Sequence, residues 1–153
     1  MIRLREMKLE ELNGYLDWLV PDYTDEVVRN FHFSREKAQA HVINEINNFL
    51  PQGVETQGEF LFCIEVNNVV GFLWYRLING GKIIFINDIF ILPQFRGRCY
   101  GKATLAELES QAAAQNVEHV ELRVAYDNER AQGLYKEIGF RETGINMIKP
   151  VSR

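Results

Sequence analysis

The fold is decided by the stretch Asp88-Ile89-Phe90-Ile91-Leu92-Pro93-Gln94-Phe95-Arg96-Gly97-Arg98-Cys99-Tyr100-Gly101-Lys102, which leads from an apolar strand through a basic loop into a helix. First-turn N–H groups of a helix have no acceptor within the helix, and the helix dipole favours negative charge there. Glycine lets a phosphate approach the backbone, and Arg96, Arg98 and Lys102 supply countercharge. The stretch therefore predicts a pyrophosphate site, while a tight turn with solvated charges explains these residues alone equally well.

Two common phosphate-binding motifs do not fit the loop. A Walker loop has four residues between its first glycine and the Gly-Lys-Ser/Thr that follows, whereas three residues separate Gly97 from Gly101 here. Ala103 follows Lys102, so the hydroxyl that would bind magnesium is missing. The Gly-x-Gly-x-x-Gly fingerprint of dinucleotide-binding proteins is also absent. A nucleoside-triphosphate enzyme is therefore disfavoured.

Upstream of the loop, the hydrophobic pattern has the period of two that is typical of strands. Three strands are predicted, at 60–66, 69–78 and 82–92. Asn67-Asn68 and Asn79-Gly80-Gly81 form tight turns between them, which predicts an antiparallel meander. The polar pair Asn87-Asp88 interrupts the third strand and predicts a bulge or a functional cleft.

The remaining segments alternate between helical and extended patterns. A short strand at 3–5 precedes a helix whose apolar stripe, Leu9 to Leu19, ends at Pro21. Residues 21–26 are expected to connect this helix to a second one capped by Ser34. Downstream, the pattern predicts a helix at 101–116, a strand at 119–125, a helix capped by Asn128 and a last strand at 143–148. The strand–helix–strand order predicts a parallel or mixed pairing beside the meander.

Composition places the chain among ordinary globular proteins. Its 153 residues, 46% of them apolar and 25% charged, are expected to form one domain spanning 1–153. A net charge of −4 argues against nucleic-acid binding, and no apolar run is long enough for a membrane span. Two distant cysteines, Cys63 and Cys99, and three scattered histidines predict no disulfide framework and no metal site. A cytoplasmic location follows as the expectation.

Two segments resemble the GCN5-related N-acetyltransferase (GNAT) superfamily. Pro93 to Gly101 fits the family's pyrophosphate motif, Gln/Arg-x-x-Gly-x-Gly/Ala, except that Cys99 stands where the first motif glycine is expected. Asn128 to Phe140 looks like the family's Asn-x-x-Ala-x-x-Leu-Tyr-x-x-x-Gly-Phe segment. The two matches occur in the family's order and on the predicted elements.

The resemblance implies an α/β (α+β) class and the acyl-CoA N-acyltransferase fold. In this fold a central mixed, mostly antiparallel and splayed sheet is flanked by helices. The implied activity moves an acetyl group from acetyl-CoA to a primary amine, on a small molecule or a protein, by direct attack in a ternary complex. The alternative is a catalytically inactive module that binds or senses acyl-CoA. Homodimers are frequent in the family.

The resemblance also assigns residues to the cofactor. Backbone groups of Ile89, Phe90 and Ile91 are expected to pair with the pantetheine amides, and Asn128 to contact the cofactor through its side chain. The pyrophosphate is expected to lie in the loop formed by Arg96, Gly97, Arg98, Cys99, Tyr100, Gly101 and Lys102. A plain N-cap explains Asn128 equally well. If Cys99 needs a positive φ, its side chain costs on the order of 1 kcal/mol.

Tyr135 is the expected general acid, donating a proton to the departing thiolate. On periodicity alone Tyr135 is a core aromatic, and the family match reverses that preference. Asp88 is the expected base for the ammonium acceptor, and Glu121 is the second choice. Acids in the connection at 22–26 suggest a cationic acceptor, such as a polyamine, an aminoglycoside or a lysine amine.

Overall fold

The sheet is built from the predicted meander, extended by one strand at each edge. The structure, a computed structural model, describes residues 1–152. Its strands are β1 (Arg3–Glu6), β2 (Glu59–Val66), β3 (Asn68–Ile78), β4 (Ile83–Ile91) and β5 (His119–Leu122). They lie in chain order across the sheet, with the first four antiparallel and β4–β5 parallel. The mixed, mostly antiparallel sheet is therefore confirmed.

Four helices cover the two faces of this sheet. They are α1 (Leu12–Phe31), α2 (Arg35–Phe49), α3 (Tyr100–Ala114) and α4 (Glu129–Glu137). Ser34 caps α2, because its hydroxyl accepts a 3.2 Å hydrogen bond from the backbone N–H of Lys37. Asn128 caps α4 in the same way, with 3.1 Å between its Oδ1 and the N of Ala131. Both predicted caps are confirmed.

Each face of the sheet has its own apolar core. The core under α1 and α2 includes Tyr15, Val27, Val42, Trp74 and Phe90. The core under α3 and α4 includes Leu73, Ile84, Ile86, Leu105 and Leu108. The sheet is the layer between two sets of helices, so a break in its pairing leaves backbone groups of the sheet without a neighbouring strand.

The prediction that the first helix ends at Pro21 is wrong. Pro21 lies inside α1, which continues to Phe31. A proline within a helix removes one backbone hydrogen bond and costs about 3 kcal/mol. Buried residues on both sides of it, Leu19 before and Val27 after, pack into the same core and outweigh that cost. The expected connection at 21–26 is therefore helical, and its acids lie on helix faces.

The polar pair in β4 marks a bulge, as predicted. Trp74 pairs with Asp88 and Tyr75 pairs with Ile86, so Asn87 is an extra residue without a partner in β3. Before the bulge Ile86 packs under α3, and after it Asp88 meets Tyr15 of α1. One inserted residue therefore moves Asp88 to the α1 face of the sheet.

The sheet is splayed beyond the bulge. β5 pairs with β4 from Ile83↔His119 to Ile86↔Leu122, and β4 then continues to Ile91 beside β3 alone. The strand predicted to reach residue 125 thus ends three residues earlier. The β5-facing edge of β4 from 87 to 91 borders a gap in the sheet.

The predicted last strand is not formed in the described part of the chain. Residues 141–152 carry no regular secondary structure and are exposed, including Ile145 and Met147. The alternating pattern suits a strand, but a strand also needs a neighbour for its N–H and C=O groups. The outer edge of β5 spans only His119 to Leu122, and residues 141–152 do not pair with it. Within residues 1–152, no helix has the length and apolarity to cross a bilayer.

Candidate active site

The gap beside β4 exposes backbone groups of two of the three predicted strand residues. The N–H of Leu92 donates to the Val70 carbonyl of β3 over 2.8 Å. Because neighbouring residues of a strand point their polar groups to opposite sides, those of Phe90 face β3, while those of Ile89 and Ile91 face the gap. The Ile91 carbonyl there accepts a 2.8 Å hydrogen bond from Nε of Arg96.

Phe90 differs from Ile89 and Ile91, because its backbone groups face β3 and its side chain packs toward α1. Its side chain is buried, with its ring centre 5.7 Å from that of Trp18 in α1. The guanidinium of Arg96 lies 5.0 Å from the same ring. Phe90 therefore anchors the end of β4 and the start of the loop, and its backbone groups are on the side away from the gap.

The loop after β4 turns the start of α3 toward the gap. Gly97 has φ +79° and Cys99 has φ +62°, so the left-handed backbone expected at Cys99 is present. Cys99 is the N-cap residue, and its side chain makes no capping hydrogen bond. The N–H groups of Tyr100, Gly101 and Lys102 are first-turn donors with no acceptor inside the helix. The backbone therefore presents several donors at one point, as an anion site requires.

The three basic side chains of the loop have different surroundings. Arg96 is held by the Ile91 carbonyl. Lys102 pairs with Glu137 of α4, with 3.2 Å between Nζ and Oε1. Arg98 is exposed, and its guanidinium lies 5.7 Å from the Phe95 ring. All three belong to the loop that borders the gap.

Asp88 forms the central polar contact of the site. The buried Tyr15 donates a 2.6 Å hydrogen bond to its Oδ2. Burial raises the pKa of Asp88 to about 7, the Tyr15 hydrogen bond works against that rise, and the charges of Asp22 and Glu26 add to it. A carboxyl group with this pKa exchanges protons near neutral pH.

Tyr135 lies on α4. It is partly buried in the core under α3 and α4, and its ring centre lies 5.6 Å from that of Phe140. Burial raises its pKa, and the negative charge of Asp88 raises it further. The charge of Asp88 thus acts on Tyr135, although 47 positions separate the two residues in sequence.

Tyr15 is a site residue that the sequence reasoning missed. It lies three positions after Leu12 and four before Leu19, which places it on the buried stripe of α1. That spacing could have identified it as an inward-facing phenol. The spacing could not identify its partner, because Asp88 is 73 positions away.

Glu121, the second choice as base, is not brought to this cluster by its contacts. Its carboxylate lies 2.8 Å from Nε2 of His119, and it pairs with Phe85 in the closed half of the sheet. Asn128 caps α4, and its expected contact with a cofactor stays a prediction. Within residues 1–152, no three His, Cys, Asp or Glu side chains are grouped so that they could hold a metal ion.

The acids of α1 lie on the other side of Asp88. Asp22 and Glu26 are one turn apart, and burial raises the pKa of both. Glu26 also contacts Arg123, with 3.4 Å between Oε2 and Nη1. An open cleft of about 740 Å³ adjoins them, lined by Tyr23, Val27, Phe31, Phe33, His41, Glu45, Arg123, Ile145, Asn146 and Met147.

Comparisons with known proteins agree with this geometry. The profile of the acetyltransferase (GNAT) family matches residues 12–140. The uncharacterized N-acetyltransferase YycN of Bacillus subtilis is 31% identical over 152 residues, covering 97% of each chain. Its crystal structure superposes with a TM-score of 0.92 at 30% identity, with both chains covered completely.

Two further relatives have acceptors in their names. The ribosomal protein bS18-alanine N-acetyltransferase of Haemophilus influenzae is 34% identical over 85 residues, covering 56% of each chain. The aminoglycoside N-acetyltransferase AAC(6')-Iy, solved with CoA, shares the fold with a TM-score of 0.63 at 17% identity, covering 99% of this chain and 95% of its own.

Proposed function

This chain belongs to the acetyltransferase (GNAT) family, and we propose that it moves an acetyl group from acetyl-CoA directly to a primary amine in a ternary complex. The observation that carries the proposal is the splay between β4 and β5, with the Tyr15–Asp88 hydrogen bond on the strand that borders it. The gap is bordered by a loop whose backbone donors suit a diphosphate. The proposed binding groups and the proposed base are thus carried by β4 and the loop that follows it.

The residues present fit acetyl-CoA at both ends of the gap. Backbone groups of Ile89 and Ile91 face the gap, as an extended ligand with amides requires. First-turn donors of α3, beside Gly97, would hold the pyrophosphate, and Arg98 is exposed for its charge. Acetyl-CoA supplies an activated thioester. The chain's contribution is to hold this ester at the splayed edge.

Asp88 is the proposed general base. A primary amine is protonated near neutral pH and must lose a proton before it can attack. With a pKa of about 7, Asp88 is ionised in about half of the molecules at pH 7 and accepts that proton. The Tyr15 hydrogen bond holds the carboxylate at the α1 side of the gap. Asp22 and Glu26 provide a negative approach for a cationic acceptor.

Tyr135 is the proposed general acid. As the new C–N bond forms, the carbonyl oxygen gains negative charge, which a backbone N–H at the open edge of β4 can stabilise. When the C–S bond breaks, its electrons leave with sulfur, and the phenol of Tyr135 donates a proton to give the free thiol. The raised pKa of Tyr135 keeps this phenol protonated at neutral pH. The nitrogen gives up its second proton as the amide forms, and that proton returns to the Tyr135 phenolate. The net products are the amide and the CoA thiol, with one amine proton on Asp88.

The proposal is tested in two steps with the whole chain. Calorimetry with acetyl-CoA is expected to show saturable binding, and its absence would overturn the proposal. Release of CoA thiol is then measured with polyamines, aminoglycosides, lysine and peptides with free N-termini. Turnover of at least one amine supports the enzyme. Binding without turnover across the panel would favour the acyl-CoA sensing alternative.

A further inference from the structure

Glu59, at the start of β2, contacts both strands at the bulge of β4. Its Oε1 accepts a 2.8 Å hydrogen bond from Nε1 of Trp74 and a 3.4 Å hydrogen bond from Nδ2 of Asn87. Trp74 is the β3 partner of Asp88, and Asn87 is the extra residue of the bulge. One carboxylate oxygen therefore bridges the two strands at the position where their register shifts.

The other carboxylate oxygen of Glu59 is held from the same face of the sheet. Its Oε2 lies 3.6 Å from Nε of Arg76, and the Glu59 side chain is only 11% exposed. The Arg76 guanidinium in turn lies 4.1 Å from the centre of the Phe49 ring. Because these neighbours are packed, Glu59 has little freedom to move, and its contacts with the bulge have a fixed geometry.

The bulge determines which face of the sheet Asp88 occupies. In a regular strand, residues two apart share a face, so Asp88 would lie on the side of Ile84 and Ile86, under α3. The inserted Asn87 shifts this alternation by one, and Asp88 meets Tyr15 instead. If the bulge were lost or moved beyond Asp88, the carboxylate would be turned away from α1.

We propose that Glu59 is a positioning residue that holds the bulge at Asn87 and so keeps Asp88 directed toward Tyr15 and the gap. Glu59 does not touch the reacting atoms and acts through Asn87 and Trp74. The consequence for turnover rests on the proposed function, in which Asp88 is the base. The effect of Glu59 on the titration of Asp88 does not depend on activity, so the titration and the turnover are measured separately.

The test compares Glu59→Ala, Glu59→Gln and Asn87→Ala with the control Glu65→Ala. Glu65 is a second β2 carboxylate, and it pairs with Arg3 and Arg5 at the far end of the strand. The readout is the pH titration of the Asp88 side-chain carbon by NMR, assigned with Asp88→Asn. Turnover and the KM for acetyl-CoA are measured in parallel. If Glu59→Ala does not fold, Asn87→Ala tests the same hydrogen bond from its other partner.

The expected result is specific to the bulge. Glu59→Ala and Asn87→Ala move the Asp88 titration from about 7 toward the ordinary aspartate value. They lower kcat by about tenfold to a hundredfold, with little change in KM. Glu59→Gln keeps an oxygen acceptor for Trp74 and Asn87 and restores both readouts. Glu65→Ala moves neither.

Two results would overturn the proposal. One is an Asp88 titration that does not change in Glu59→Ala and Asn87→Ala. The other is an equal change in Glu65→Ala, which would indicate a general loss of stability. If Asp88→Asn keeps full turnover, the proposed function fails, because Asp88 is then not the base. The role of Glu59 is judged separately. An Asp88 titration that moves in Glu59→Ala and Asn87→Ala but not in Glu65→Ala still supports Glu59 as the residue that positions Asp88.

Discussion

The Tyr15 hydroxyl donates a 2.6 Å hydrogen bond to Oδ2 of Asp88, and this contact joins the first helix to the splayed strand. Tyr15 is completely buried, so its hydroxyl has no access to water as an alternative partner. A phenol that donates to a carboxylate stabilises the ionised form of the acid. The contact therefore limits how far burial can raise the pKa of Asp88.

Tyr15→Phe should move the acid limb of the pH profile to higher pH. A hydrogen bond to a charged group is worth about 1.5 kcal/mol, which corresponds to roughly one pH unit. The other groups near Asp88 are Asp22, Glu26 and Tyr135, and none of them replaces the lost donor. The measurement is the profile of kcat/KM against pH, which we expect to rise through about 7 in the wild type.

At pH 7 the ionised fraction of Asp88 should fall from about half to about a tenth in Tyr15→Phe, so kcat/KM should drop about fivefold. Full rate should return at high pH, because the base itself is intact. A limb that stays in place or moves to lower pH would contradict a role for the Tyr15 hydrogen bond in setting the pKa of Asp88.

Asp88→Asn should make the protein more stable above neutral pH. Burial raises the pKa of Asp88 from its ordinary 3.8 to about 7, so between these values the folded chain binds more protons than the unfolded chain. Stability is then lost as the pH rises through that window. Asparagine carries no charge and keeps an oxygen that accepts the Tyr15 hydrogen bond.

The difference should appear as a melting temperature that is higher in Asp88→Asn by roughly 5 °C at pH 8. At pH 4 both proteins have a neutral side chain at position 88 and should melt together. Differential scanning calorimetry at both pH values makes the comparison. A variant that is less stable at pH 8 would show that the Asp88 carboxylate is stabilised in the fold.

The parts of the fold that could be predicted are those with local signals. Asn79-Gly80-Gly81 marks a turn, and Ser34 and Asn128 mark helix starts, because each acts through its own neighbours in sequence. The continuation of α1 through Pro21 depends on packing against the sheet, which outweighs the local cost.

The candidate site also contains one part with a local sequence signal and one part that depends on contacts between distant residues. Residue types and a family motif predict the loop from Arg96 to Lys102 as a binding site. The partner of Asp88 could not be identified, because Tyr15 reaches it only after the β4 bulge has changed the face that Asp88 occupies. Contacts over 73 positions leave no trace in a local pattern.

Tyr135→Phe should lower kcat without weakening cofactor binding. The ring keeps its packing against Phe140, and only the proton donor is removed. General-acid catalysis contributes about 10²–10⁴-fold, so a fall of about a hundredfold is expected, with acetyl-CoA affinity close to that of the wild type. Tyr126→Phe is the matched control, because Tyr126 is 88% exposed. Unchanged turnover in Tyr135→Phe would remove the acid role.

Cys99→Gly should be more stable than Cys99→Ala, the reverse of the usual order. In most loops glycine is less favourable than alanine, because it leaves the unfolded chain more freedom. At Cys99 the backbone has φ +62°, where any side chain costs about 1–2 kcal/mol.

Chemical denaturation of the two variants should therefore favour glycine by about 0.5 kcal/mol, and Gly97→Ala, at φ +79°, should lose stability. Since the amides after Cys99 are the proposed pyrophosphate donors, Cys99→Gly should also bind acetyl-CoA at least as tightly as Cys99→Ala. Greater stability in the alanine variant would mean that the loop has no need of the left-handed conformation.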